Sequence, residues 1–263
     1  ECFKEAFVYI FEAFFVYPER VLKGTKPLLE TLLLLIGCDD THTPEDLELA
    51  RQLASELLAR GLESKDYSQI VGTLEEILDR RASVSVLGWG LDIAEILAVS
   101  PQADPASALG FFVKLSELAA RNRHRLSSWH RRAMEMLCKD FETEPQAWLL
   151  ETPQQEEGSD GTSVLESQHI AIYTLEESAG IRARKILLEA YPNVKISLNT
   201  DLVCTEKLSS LAKNADIFVF AWRSSKHQAF YCIKNHRDAR LPLLQPLGKG
   251  SASIVREVSN YQA

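Results

Sequence analysis

Two short stretches carry residues whose types and spacing suit chemistry: Ser224-Ser225-Lys226-His227 and Gly248-Lys249-Gly250-Ser251-Ala252-Ser253. Each follows an apolar run and opens a helical pattern. A helix N-terminus presents free N–H groups and a partial positive charge. Glycines let backbone approach an anion closely. The pattern therefore points to a phosphate or carboxylate site. It is not a P-loop, which needs four residues between its glycines and follows the first strand. The same residues also suit a plain turn, with Ser251 or Ser253 as the helix cap.

A third loop, Thr174 to Ser178, is expected to reach the same place. The predicted ligand-binding set is Thr174, Ser178, Ser224, Ser225, Lys226, His227, Tyr231, Gly248, Lys249, Gly250, Ser251 and Ser253. His227 at a helix start is disfavoured as a cation by the helix dipole. As a neutral imidazole it can donate to an anion or serve as a general base. Paired with Glu176 or Glu177 it would make a phosphoester hydrolase; unpaired, it belongs to a non-catalytic site. The third apolar run ends in Ala221-Trp222-Arg223. It therefore lacks the aspartate of a phosphoacceptor domain and the paired aspartates of a Toprim-type metal site.

The elements that must position these loops follow from periodicity. From residue 168 onward short β-rich runs alternate with helical patterns: His169–Leu175, Val194–Leu198, Asp216–Trp222 and Leu241–Leu247 read as strands. Helices lie between them and after the last, which begins at Ser251. Right-handed crossovers then give a parallel four-stranded sheet of order 2-1-3-4, with ligands expected beyond the carboxyl ends of its strands. Residues 1–150 read as helices only. Thr43 and Pro44 start one, and Arg60-Gly61 ends it. Cys2 to Tyr17 reads as another, with a narrow acidic stripe. Residues 151–167, polar and acidic with Pro153, Gly158 and Gly161, read as a flexible linker. The expected fold is thus a Rossmann-like α/β domain at 168–263, preceded by an all-α domain at 1–150.

Composition limits the function classes. The chain has 263 residues, 46% of them hydrophobic, and a net charge of −8. From Gln168 onward 13 Lys and Arg face 8 Asp and Glu, so the α/β part is the basic one. No stretch is long and apolar enough for a membrane span. The five cysteines are scattered without metal-ligand spacing, which leads to an expectation of free thiols, a reducing cytoplasmic setting and no metal. No cofactor is called for. The opening at Glu1, inside or just before a helix, suggests a piece of a longer protein.

A second basic feature is Arg121 to Leu137. On one continuous helix Arg121, Arg125, Arg131 and Arg132 fall within an arc of about 120°, opposite Trp129 and Leu137. Such a face suits nucleic-acid phosphates. It equally suits docking on the acidic linker or acidic neighbouring helices, and a helix break at Ser127-Ser128 would spoil the arc.

Two motifs carry a family likeness. His227, Ala229, Tyr231 and Lys234, then Gly250, Ser251, Ser253 and Arg256, resemble motifs of a family of small bacterial Rossmann-like domains of unknown function. The resemblance covers residues 169–260. Lys226 stands where serine is usual, and the glycine pair many members carry after the first strand is missing. The resemblance implies a ligand-facing site at these residues and a place in larger bacterial proteins, some in defence-type systems. It implies no agreed activity.

The expected function is a non-catalytic regulatory module that binds an anionic small molecule or nucleic acid at the strand ends. Its other partners would be the rest of the same chain or partner subunits, and no membrane. The alternatives are the His227 hydrolase and a protein–protein scaffold with a degenerate α/β domain.

Overall fold

A computed structural model describes residues 25–80, 84–150, 165–222 and 225–261. The helix expected over Cys2 to Tyr17 and most of the expected linker, residues 151–164, lie outside the described residues.

Seven helices precede the first strand among the described residues: α1 Lys26–Gly37, α2 Pro44–Ala59, α3 Ser64–Arg80, α4 Val84–Val99, α5 Pro105–Arg121, α6 Ser128–Asp140 and α7 Ala147–Leu150. Their starts follow local chemistry. The Thr43 hydroxyl accepts from the Asp46 N–H at 3.2 Å, and the Asp46 carboxylate accepts from the Thr43 N–H at 2.8 Å. That capping box, with Pro44 behind it, starts α2 where the sequence placed it. Asp104 caps α5 more simply, its carboxylate accepting from the Ala106 and Ser107 N–H groups.

The continuous helix expected through Arg121 to Leu137 is corrected. α5 ends at Arg121, Arg123–Arg125 form a single 3-10 turn, and α6 starts at Ser128. Ser127 occupies the N-cap position with extended backbone, and its Oγ is 2.6 Å from Nδ1 of His130. A serine that satisfies a local partner outside the helix favours a start there over continuation. The arc of arginines drawn on one helix therefore does not exist.

The second half alternates strands and helices: β1 His169–Tyr173, α8 Glu177–Ala190, β2 Lys195–Asn199, α9 Glu206–Asn214, β3 Ile217–Phe220, α10 His227–His236, β4 Leu243–Leu244 and α11 Ser251–Ser259. The four strands form one parallel sheet of order β2-β1-β3-β4. β3 is buried throughout, as an inner parallel strand with helices on both faces should be.

The two faces of the sheet enter two cores. Ala171, Tyr173, Phe218 and Phe220 pack with Leu208, Ala212, Ala229 and Ile233 of α9 and α10. Ile170, Ile172, Ile217 and Val219 share a core with α8, α11 and the helices of the first half. That second core runs without a break from Leu29 to Val258. α11 packs on α4 and α8, and α6 packs on α8, so the layers run α9/α10, sheet, α8/α11, then α4/α6. Among the described residues no helix is long and apolar enough to cross a membrane.

Candidate functional site

The loops beyond the carboxyl ends of the strands contain the residues predicted from sequence. Thr174 is buried, and its hydroxyl accepts from the Glu176 N–H at 3.1 Å. Ser178 is exposed in the first turn of α8. Lys249 reaches across to Glu176 at 3.1 Å, which ties the fourth loop to the first. After β3, Arg223 and Ser224 lie outside the described residues, and the Ser225 hydroxyl donates to the Trp222 carbonyl at 2.6 Å. Lys226 holds the N-cap position of α10, and His227 is its exposed first residue. The His227 side chain has no hydrogen-bond partner among the described residues. Tyr231 lies on the same helix, 59% exposed.

The fourth loop seats two carboxyl groups that belong to the chain. Asp92 and Glu95 stand three residues apart on α4, on one face. The Glu95 carboxylate accepts from the Ser251 hydroxyl at 2.5 Å and from the Ser251 N–H at 3.2 Å. The Asp92 carboxylate accepts from the Ser253 hydroxyl at 2.5 Å and from the Ser253 N–H at 3.3 Å. The free N–H groups of the α11 start thus meet carboxyl oxygens inside the protein. Gly250 allows the approach, since a Cβ there would run into the Asp92 carboxylate. Gly248 is tight against the Ser253 hydroxyl in the same way. Ser251 and Ser253 are buried against α4 rather than open to solvent.

A buried cation supports the two acids. Arg51 is 1% exposed and holds Glu48 through two bonds, at 2.8 and 2.6 Å. Burial pushes the Asp92 carboxyl upward, while the positive charge of Arg51 and the Ser253 hydroxyl pull it down. Burial pushes Glu95 up to about 7, against the downward pull of its bonds from Ser251.

The arginines of the second basic feature separate. Arg121 pairs with Glu117 at 3.3 Å, and Arg132 with Glu135 at 2.8 Å and Glu189 at 3.7 Å. The Arg131 guanidinium donates to the carbonyls of Trp148 at 2.7 Å and Arg123 at 3.3 Å. Arg125 is left on the 3-10 turn, exposed and without an ion-pair partner among the described residues.

Arg125 instead borders a cavity of about 370 Å³ shared with Arg256 of α11. Gly88 of α4 gives Arg256 its room: a Cβ there would stand 3.0 Å from the guanidinium. Arg256 also has no ion-pair partner among the described residues. Trp129 and Tyr191 supply aromatic wall, and His130 stacks on Trp129 with ring centres 3.6 Å apart. Burial, then the charge of Arg256, depresses His130 to about 4, so it is neutral at physiological pH. The Ser259 hydroxyl is buried there without a hydrogen-bond partner. α8 and α11 run against the strands, so Tyr191 and Ser259, at their C-terminal ends, put this cavity near the strand starts. The predicted loops lie at the opposite end.

The cavity thus joins two guanidinium groups that have no ion pair among the described residues with neutral polar groups and aromatic surface. Such a set suits an anion carrying a flat or apolar part. Arg125 stood in the predicted nucleic-acid patch and Arg256 in a family motif, but nothing in the sequence linked them. His130 and Tyr191 were missed, and only the Trp129-His130 pair gave a local hint.

The model of a family described as DpdD-like matches residues 1–257. The chain belongs to the DpdD-like family. Comparison with curated proteins and with solved structures gives no match. In this DpdD-like chain the family match covers the helical half as well as the sheet. The resemblance drawn from motifs covered 169–260 alone. The wider span agrees with a core shared by both halves.

The DpdD-like chain also corrects the expectation of free thiols. Cys204 and Cys232 are joined as a disulfide, while Cys38 and Cys138 are free. The pair was hidden in the sequence because 28 residues separate its members, and only the packing of the β2–α9 loop on α10 brings them together.

Proposed function

We propose that this DpdD-like chain is a non-catalytic binding module of a larger bacterial assembly. Its α/β half is a Rossmann-like domain fused through a shared core to a helical domain. Its ligand is an anion with an aromatic or apolar part, such as a nucleotide or a nucleic-acid end. The observation that carries this is the meeting of Arg125 and Arg256 at one cavity, with no carboxylate paired to either among the described residues. The Gly248–Ser253 turn supports an internal role instead, since Asp92 and Glu95 occupy its N–H groups. A hydrolase built on His227 has less support, because Glu176 is held by Lys249. The defence-type setting rests on the motif resemblance.

A thermal-shift panel of phosphate, pyrophosphate, nucleoside mono-, di- and triphosphates and short oligonucleotides tests the proposal. A ligand at a hundred times its dissociation constant adds about 2.7 kcal/mol. The shift should vanish in Arg125→Ala and Arg256→Ala. A shift that survives both substitutions, or no shift with any compound, overturns it.

One observation favours a scaffold role alongside. Leu202, Val203, Trp222 and Leu247 are exposed on the loops after β2, β3 and β4. Exposed apolar residues gathered at one end of a sheet suit a protein partner. On this reading Trp222→Ala weakens assembly with a partner subunit and leaves the ligand response of the cavity unchanged. Assembly untouched by Trp222→Ala and Leu247→Asp would contradict it.

A further inference from the structure

One cluster outside the cavity has the donor set of a metal centre. Cys204 lies in the loop between β2 and α9, Cys232 in the middle of α10, and His236 one turn further on. Cys232 and His236 are four residues apart, so they share a helix face. One ligand atom from each of the three lies within 4.8 Å of the others. Cys204 and His236 are exposed and Cys232 is buried, so the group is anchored on one side and open to solvent on the other.

The histidine is arranged as a ligand. Its Nδ1 is 2.8 Å from the Cys232 carbonyl. A carbonyl only accepts, so Nδ1 carries the proton and Nε2 keeps the lone pair. A backbone carbonyl on the second ring nitrogen is the usual support for a metal-binding imidazole. Two thiolates and one imidazole form a borderline-soft set that suits zinc. Tetrahedral zinc, with bonds of about 2.3 Å to sulfur and 2.0–2.1 Å to nitrogen, holds its ligand atoms about 3.5–3.8 Å apart. In the disulfide the two sulfurs are bonded to each other with a ring nitrogen of His236 within 4.8 Å, so reduction lets the sulfurs part toward that spacing beside the histidine.

We propose that Cys204, Cys232 and His236 form a zinc site when the disulfide is reduced, with water in the fourth position. The disulfide and the zinc complex are two states of one site. A dithiol or phosphine supplies two electrons, the S–S bond breaks, and two protons complete the two thiols. Zinc then displaces those two protons and binds both thiolates, with no further change in oxidation state.

Cobalt is the probe, because thiolate-to-cobalt charge transfer reports sulfur ligation directly. The whole chain, reduced with a phosphine and then freed of it, is titrated with Co²⁺ and then with Zn²⁺. One Co²⁺ per chain should bind with a charge-transfer band, and one Zn²⁺ should displace it. Cys204→Ser, at an exposed position that spares the core, should abolish the band. His236→Gln should weaken binding by about tenfold or more. The disulfide form should bind at least a hundredfold more weakly than the reduced chain. Absence of a band in the reduced chain overturns the proposal. So does a band that survives both substitutions, which would place the ion on other cysteines.

Discussion

The Ser253 hydroxyl donates to the Asp92 carboxylate at 2.5 Å across 161 residues of chain. This bond joins the last helix of the α/β half to the fourth helix of the helical half. With the Ser251–Glu95 bonds beside it, it fills the α11 N-terminus from within. A loop that resembles a phosphate cradle thus clamps the two halves together.

The clamp depends on the missing side chain of Gly250. Gly250→Ala should destabilise the protein by about 1–3 kcal/mol, because its new Cβ meets the Asp92 carboxylate. In an Asp92→Ala background the same change should cost much less, so the two effects are not additive. Urea unfolding of the two single variants and the double variant measures the coupling. Additive costs would mean that the two residues do not meet.

Stability should carry the mark of Glu95 in its pH dependence. Its folded value is about 7, above the usual 4.5, so the folded state holds the proton more tightly. Its contribution is full below about pH 4.5 and is lost as pH rises through 7. Asp92 shifts in the same direction. His130, depressed to about 4, acts oppositely between about 4 and 6.5. Comparing wild type with Glu95→Gln cancels the shared terms. The wild type should lose on the order of 3 kcal/mol relative to the variant between pH 4.5 and 8. Parallel curves would contradict this.

Arg51 should show the asymmetry of a buried pair. Arg51→Ala leaves Glu48 buried without its guanidinium and should cost about 3–5 kcal/mol. Replacing both, as Arg51→Met with Glu48→Leu, should recover most of that loss. Equal destabilisation of the single and double variants by thermal unfolding would count against a paired, buried role.

The parallel sheet and its strand order were legible in the sequence because apolar β-rich runs alternate with amphipathic helices. Thr43-Pro44 marked a helix start where a capping box forms. The break at Ser127 was one of two open readings: helical periodicity runs on from Arg123 to Phe141, but the Ser127-Ser128 pair allowed a break there, and the fold takes it. Asp92 and Glu95 looked like ordinary polar positions. Their signal was present: they are the only charged residues in the apolar run Val84–Val99, three apart, facing a helix start with two serines two apart. Pairings across 28 or 161 residues have no local trace, so Cys204–Cys232 and Ser253–Asp92 needed the fold.

Carboxyl groups of the chain fill the N-terminus of the last helix, and the proposal assigns external anions to the Arg125–Arg256 cavity. Calorimetric titration of pyrophosphate into wild type, Arg125→Glu and Lys249→Glu tests it most directly. Arg125→Glu should weaken binding by about tenfold or more, the loss expected for one charge-assisted contact. Lys249→Glu, which removes only the partly exposed pair with Glu176, should bind as wild type does. Binding kept in Arg125→Glu and lost in Lys249→Glu, or no binding to any of the three, would contradict the account.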